Sequence, residues 1–177
     1  NQEISFFTDQ AMAAAKEVAD NITLTNNSGQ TDPDFNQSAG WNAYFEMFAD
    51  VDMSKYSEVL MWRAFDASID IANATAVYIL NGNNTGLTRG YVENFLMKNG
   101  LPIYAGGSGY TGNDEKIDNV KVGRDDRLQL FMVSENTRRN VFLPNDSASA
   151  YYGTPNVVDL EEVRKVTGYH IRKGLNY

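Results

Sequence analysis

GLTRGYVENFLMKNGLPIY spans residues 86–104, and GYTGNDEKIDNVKVGRDDRLQL spans residues 109–130. Thr88 is a side-chain acceptor set just before a run of good helix formers, so it reads as the N-cap of a helix over 89–99. Val92, Phe95 and Leu96 form that helix's apolar stripe. Gly100 past its end and Pro102 beyond are the expected stop signals. Residues 104–114 are rich in glycine and read as a loop. Lys116–Val122 has room for one or two helical turns. RLQLFMV (127–133) alternates Leu128, Leu130 and Met132 with other residues, which predicts a strand.

Working outward toward the N-terminus, FTDQAMAAAKEVAD (7–20) has no Gly or Pro and predicts a helix, with Thr8 or Asp9 as its cap. NNSGQTDPDFNQS (26–38) is a polar loop. Ser38 then precedes a short helix in AGWNAYFEMF, where Trp41, Tyr44, Phe45 and Phe48 share one face. EVLMWRAFD (58–66) predicts a buried or half-buried strand. AVYILN (76–81) predicts a second strand, ending at the turn Asn81-Gly82-Asn83-Asn84. Toward the C-terminus, 143–160 looks irregular, and TGYHIRKGL (167–175) predicts a last strand. The expected fold class is mainly α with short β-strands and long loops, in one piece over 1–177.

These segments, in this order, resemble the SusD/RagB family. Residues 86–104 are similar to the family's "lt..lvd.f.m.dG.pi" helix. Gly123-Arg124-Asp125-Asp126-Arg127-Leu128 is similar to its "n-R-D-P-R-L" element, with Asp126 where the family has Pro. TGYHIRKGLN (167–176) looks like its "tGy.irK" strand. MSKYSEVLMWRAFD (53–66) is similar to its "n.EvIf.r.y" strand. Family members are far longer, and the start Asn1-Gln2-Glu3 reads as a cut inside a longer product. The resemblance implies that 1–52 ends a tetratricopeptide-like helical scaffold and that 53–177 begins an irregular C-terminal region. It implies an outer-membrane, surface-exposed protein, lipid-anchored in the full-length parent, with a TonB-dependent transporter as partner. It implies an oligosaccharide or glycan ligand for nutrient uptake, and no cofactor.

Composition narrows the chemistry independently. The formal net charge is −8, and Lys and Arg are scattered apart from Arg138-Arg139 and Arg172-Lys173. Nucleic acid and anionic lipid need a basic surface, so neither is an expected partner. There is no cysteine and one histidine, His170, which excludes thiolate and His-rich metal sites within these residues. Six Asn-x-Ser/Thr triplets read as products of an Asn-rich sequence. No apolar run approaches the roughly 20 residues that span a bilayer.

Motifs for reactive chemistry are weak. Gly107–Gly112 matches GxGxxG but lacks the flanking strand and helix of a dinucleotide site. Asn113, Asp114, Glu115 and Asp118 lack EF-hand spacing and read as a solvated acidic turn. Asp125-Asp126 and Glu161-Glu162 are adjacent in sequence, whereas glycoside hydrolysis needs carboxylates facing across a sugar. Arg124, Asp125 and Arg127 predict a local ion-pair cluster. His170 reads as a packed or surface residue without an orienting partner. The chain is therefore expected to be non-catalytic.

Aromatic rings remain. A sugar offers an apolar C–H face to a ring and hydroxyls to nearby amides and charges. Trp41 after the polar loop is one candidate platform, although its spacing with Phe45 also suits a core. Trp62, in mid-strand, reads as core. The candidate ligand-binding set is Trp41, Tyr78, Asn81, Asn84 and Tyr110. The alternative is a docking module against the transporter, with the ligand site on another part of the parent.

Overall fold

A computed structural model describes residues 2–34, 39–71, 86–137 and 168–174. Among them, α-helix is the main regular structure: α1 (Gln2–Asn21), α2 (Ala43–Met47), α3 (Arg89–Glu93), α4 (Ile117–Lys121) and α5 (Asp126–Phe131). Met53–Lys55 and Ala67–Ile69 are single 3-10 turns. β-structure among the described residues consists of isolated bridges. The helix-rich class expected from the sequence is observed.

The short helix α5 organises the core. Asp125 caps it by accepting from Arg127 N–H at 2.8 Å. Its Leu128 packs with Val92, Val120 and Met132. Its Leu130 and Phe131 pack with Trp41 and Phe45. One helix of six residues thus joins both apolar clusters. This corrects the expected strand over 127–133. Alternation of Leu128, Leu130 and Met132 suggested period two, but Leu128, Phe131 and Met132 also fit i, i+3, i+4. Burial on both sides of the helix and the Asp125 cap decide for that period. The chain turns extended only at Met132, which bridges to Ile171.

The segment 168–174 stitches onto this core. Leu87 N–H donates to Tyr169 O, Val133 N–H to His170 O and Arg172 N–H to Phe131 O, each at 2.9 Å. The predicted last strand is thus an extended segment held by single bridges to Leu87 and Met132. His170 is packed inside.

Two buried arginines complete helix ends. Arg124 Nη2 donates to Val92 O at 2.7 Å and Phe95 O at 2.8 Å. Those carbonyls would otherwise accept the next turn of α3. Their capture explains why α3 stops at Glu93 when the sequence predicted helix to 99. Thr88 caps α3 as expected, by accepting from Tyr91 N–H at 3.2 Å. Arg172 Nε donates to Leu130 O at 2.9 Å, and its Nη1 pairs with Asp32 at 2.5 Å. The expected Arg124–Asp125–Arg127 cluster is therefore halved: Asp125 pairs with Arg127 at 2.6 Å, and Arg124 turns inward. Gly123, at φ 67°, makes the turn between α4 and α5, and a Cβ there would meet Met97 Cε at 3.2 Å.

The N-terminal half departs further from expectation. α1 starts at Gln2, so Thr8 and Asp9 lie inside it rather than at its cap. α2 starts later than Ser38 suggested, because Asn42 supplies the cap, accepting from Phe45 N–H at 3.2 Å. Residues 58–66 form no ladder; the bridge Asp66–Ile71 is their sole β-pairing among the described residues. Leu60, Met61, Trp62 and Phe65 are exposed rather than buried. Among the described residues no neighbouring strand pairs with this apolar run. The predicted strand at 76–81 lies outside the described residues.

Candidate functional site

Two of the sequence-derived candidates, Trp41 and Tyr110, lie among the described residues. Trp41 is 4% exposed, its ring 4.8 Å from that of Phe45. Its faces are spent on the core, so it is no sugar platform; the helical spacing with Phe45 was the better guide. Tyr110 is half-buried, its hydroxyl donates to Asp114, and its ring lies 5.5 Å from the Arg124 guanidinium. Burial, then the Asp114 hydrogen bond, push its phenol up to about 12. The hydroxyl is engaged locally. Tyr78, Asn81 and Asn84 lie outside the described residues.

The acidic turn is also engaged internally. Asp114 accepts from Arg89 at 2.8 Å as well as from Tyr110, and Asp118 accepts from Asn136 at 2.5 Å. Among the described residues no group of three His, Asp or Glu is placed to hold a metal ion.

Two clefts have aromatic walls among the described residues. The wider encloses about 390 Å³ and is lined by Phe48–Val51, Met53, Trp62–Phe65 and Gly174. Such a volume lies within the roughly 300–1,000 Å³ of small-ligand sites. Trp62 is 39% and Phe65 48% exposed, so both rings offer apolar area to a ligand. The Arg63 guanidinium lies 5.5 Å from the Phe65 ring centroid. Asp50 accepts from Tyr56 Oη at 2.7 Å and from Lys55 Nζ. Burial opposes its ionisation, but the hydrogen bonds from Lys55 and Tyr56 outweigh it and hold the carboxyl below its usual range. Asp50 is therefore a charged acceptor at the cleft wall.

The narrower cleft encloses about 170 Å³ beside α3 and α5. Tyr44, Tyr91, Phe95 and Phe131 give it aromatic walls, and Arg127 and Lys173 line it with cations. Tyr91 is half-exposed, and its ring meets that of Phe95 edge-on at 5.6 Å.

Sequence reasoning missed both clefts. Trp62 was hidden by its reading as a buried strand residue. Tyr44 and Phe131 were visible as apolar positions only, since nothing in the local pattern reveals which face of a ring stays open. The pair Arg172-Lys173 was a signal of cations near one another; Arg172 is buried and Lys173 lines the narrower cleft.

Compared with known proteins, the chain matches no family model, no curated protein and no solved structure.

Proposed function

We propose that this chain is part of a non-catalytic, surface-exposed glycan-binding protein of the SusD/RagB type. In this reading the full-length parent is lipid-anchored in the outer membrane. It passes oligosaccharides to a TonB-dependent transporter, and its 1–52 region ends a tetratricopeptide-like scaffold. The observation that carries the reading is the wider cleft, where Trp62 and Phe65 stand open beside Asp50 and Arg63. Rings for the C–H face and charged groups for the hydroxyls are what saccharide recognition requires. The ordered sequence motifs add the family.

The two tryptophans make the test direct, because Trp41 is buried and Trp62 is open. Titrating oligosaccharides should perturb the fluorescence of Trp62 and leave that of Trp41 unchanged. Trp62→Ala should weaken binding about 10-fold, the upper range for one aromatic contact. A saccharide panel that leaves Trp62 unperturbed, or measured turnover of a glycan, would sink the reading.

A second reading, docking to the transporter, is favoured by the exposed apolar residues Leu60 and Met61 beside the wider cleft, and by α1, which buries none of its residues. Met61→Asp in the full-length parent would then weaken co-purification with the transporter and spare glycan binding.

A further inference from the structure

The narrower cleft holds a cation in an unusual setting. Lys173 Nζ lies 3.6 Å from the Phe48 ring centroid and 5.3 Å from that of Phe131. Among the described residues no carboxylate pairs with it. Burial alone holds the amine below the ordinary lysine range. The ring faces replace part of the lost hydration. It lines the cleft, so among the described residues it brings a positive charge to that wall without a counter-ion.

Arg127 plays a different part. Its Nε and Nη2 are taken by Asp125 at 2.9 and 2.6 Å, which offsets most of its charge. Its Nη1 keeps hydrogen-bond donors for a ligand. The net charge of this wall therefore comes from Lys173. The protein as a whole carries −8, so long-range steering does not favour anions. Any preference for an anion has to arise at this cleft.

We propose that the narrower cleft is a subsite for an acidic saccharide: a sugar ring lies against Tyr91 and Phe95, and its carboxylate meets Lys173 and Arg127. This rests on the glycan-binding reading and adds the charge of the ligand. At about 170 Å³ the cleft is smaller than the roughly 300–1,000 Å³ of drug-sized sites, so it suits one ring of a chain rather than a whole oligosaccharide.

Calorimetric titration of the full chain with trigalacturonate and with the matching neutral galactose trisaccharide, at fixed ionic strength, tests this. The acid should bind about 10-fold more tightly, as expected for one charge-assisted contact. Lys173→Met should abolish that difference by weakening the acid far more than the neutral sugar, and Lys173→Arg should retain it. Thermal melts of both variants control for folding. Equal binding of acid and neutral sugar overturns the proposal and leaves the glycan reading standing. A preference for acid that survives Lys173→Met also overturns it. No binding of either trisaccharide, or of any saccharide in the wider panel, brings down both.

Discussion

α1 and α5 are both helices with apolar side chains, and they stand on opposite foundations. α1 runs 20 residues and buries none of them. α5 runs six residues and buries Leu128, Leu130 and Phe131. α1 is sustained by its own composition: a run of alanines, no interior Gly or Pro, and the Lys16–Asp20 pair at 2.6 Å. A helix of about 12–15 residues is the shortest that is even marginal alone in water, so α5 exists only because its surroundings hold it. The lesson is that regular structure and stability reside in different places in this chain. The long helix is locally encoded, and the short one is where the free energy of folding concentrates.

The contrast can be broken most sharply at Leu128. Leu128→Ala removes a fully buried side chain from the cluster with Val92, Val120 and Met132. The expected loss is about 3 kcal/mol, read as a lower urea midpoint at unchanged slope. A loss below about 1 kcal/mol would mean that α5 is not the keystone.

The next effect is set by pH. Lys121 Nζ donates to Met132 O at 2.8 Å, to Thr137 Oγ1 at 3.0 Å and to Ser134 Oγ at 3.1 Å, just beyond α5. Burial, and then the like charge of Arg172, lower its amine from 10.5 to about 8. Between those values the unfolded chain binds a proton that the folded chain resists. Stability therefore rises with pH through that window and is lost as pH falls. Above 10, Tyr110, raised to about 12, works the other way, because the unfolded chain releases its phenol proton first. Urea midpoints should thus climb from pH 8 to 10 by about 2 kcal/mol, and Lys121→Met should flatten that slope.

Asn42 gives a smaller effect. It caps α2 and also donates to Asn27 Oδ1 at 2.8 Å and Gln30 O at 2.9 Å. Asn42→Ala should remove about 1–2 kcal/mol. The smallest effect is expected in α1. Val18→Ala should shift stability by less than about 0.5 kcal/mol, and α1 amides should exchange with solvent far faster than those of α5. Slow exchange in α1 would show that its apolar stripe of Ile4, Phe7 and Val18 is covered in solution.

What the sequence disclosed follows the same division. α1 and the Thr88 cap were legible because propensity and capping act over a few residues. The helical α5 was not, since Leu128, Leu130 and Met132 satisfy two periodicities and only packing chooses between them. The truncation of α3 was equally hidden: it depends on Arg124 reaching Val92 O, 32 residues earlier in the chain. At the candidate site, composition pointed to rings and amides, and that resource is present. Which ring stays open was not legible. Trp41 and Trp62 exchange their expected roles: the first packs with Phe45 and Phe131 across the fold, while the second stays open and no strand among the described residues covers it.

Arg172 sets a timetable as well as a contact. Its Nη1 reaches back 140 residues to Asp32. On a ribosome adding about 5–20 residues per second, Asp32 waits roughly 7–28 s for that partner to be made. Until then the Phe45 ring has α5 but not the guanidinium, which lies 5.6 Å from its centroid. Nascent chains stalled before residue 172 should therefore be cut by protease near 27–34, and chains released after it should resist.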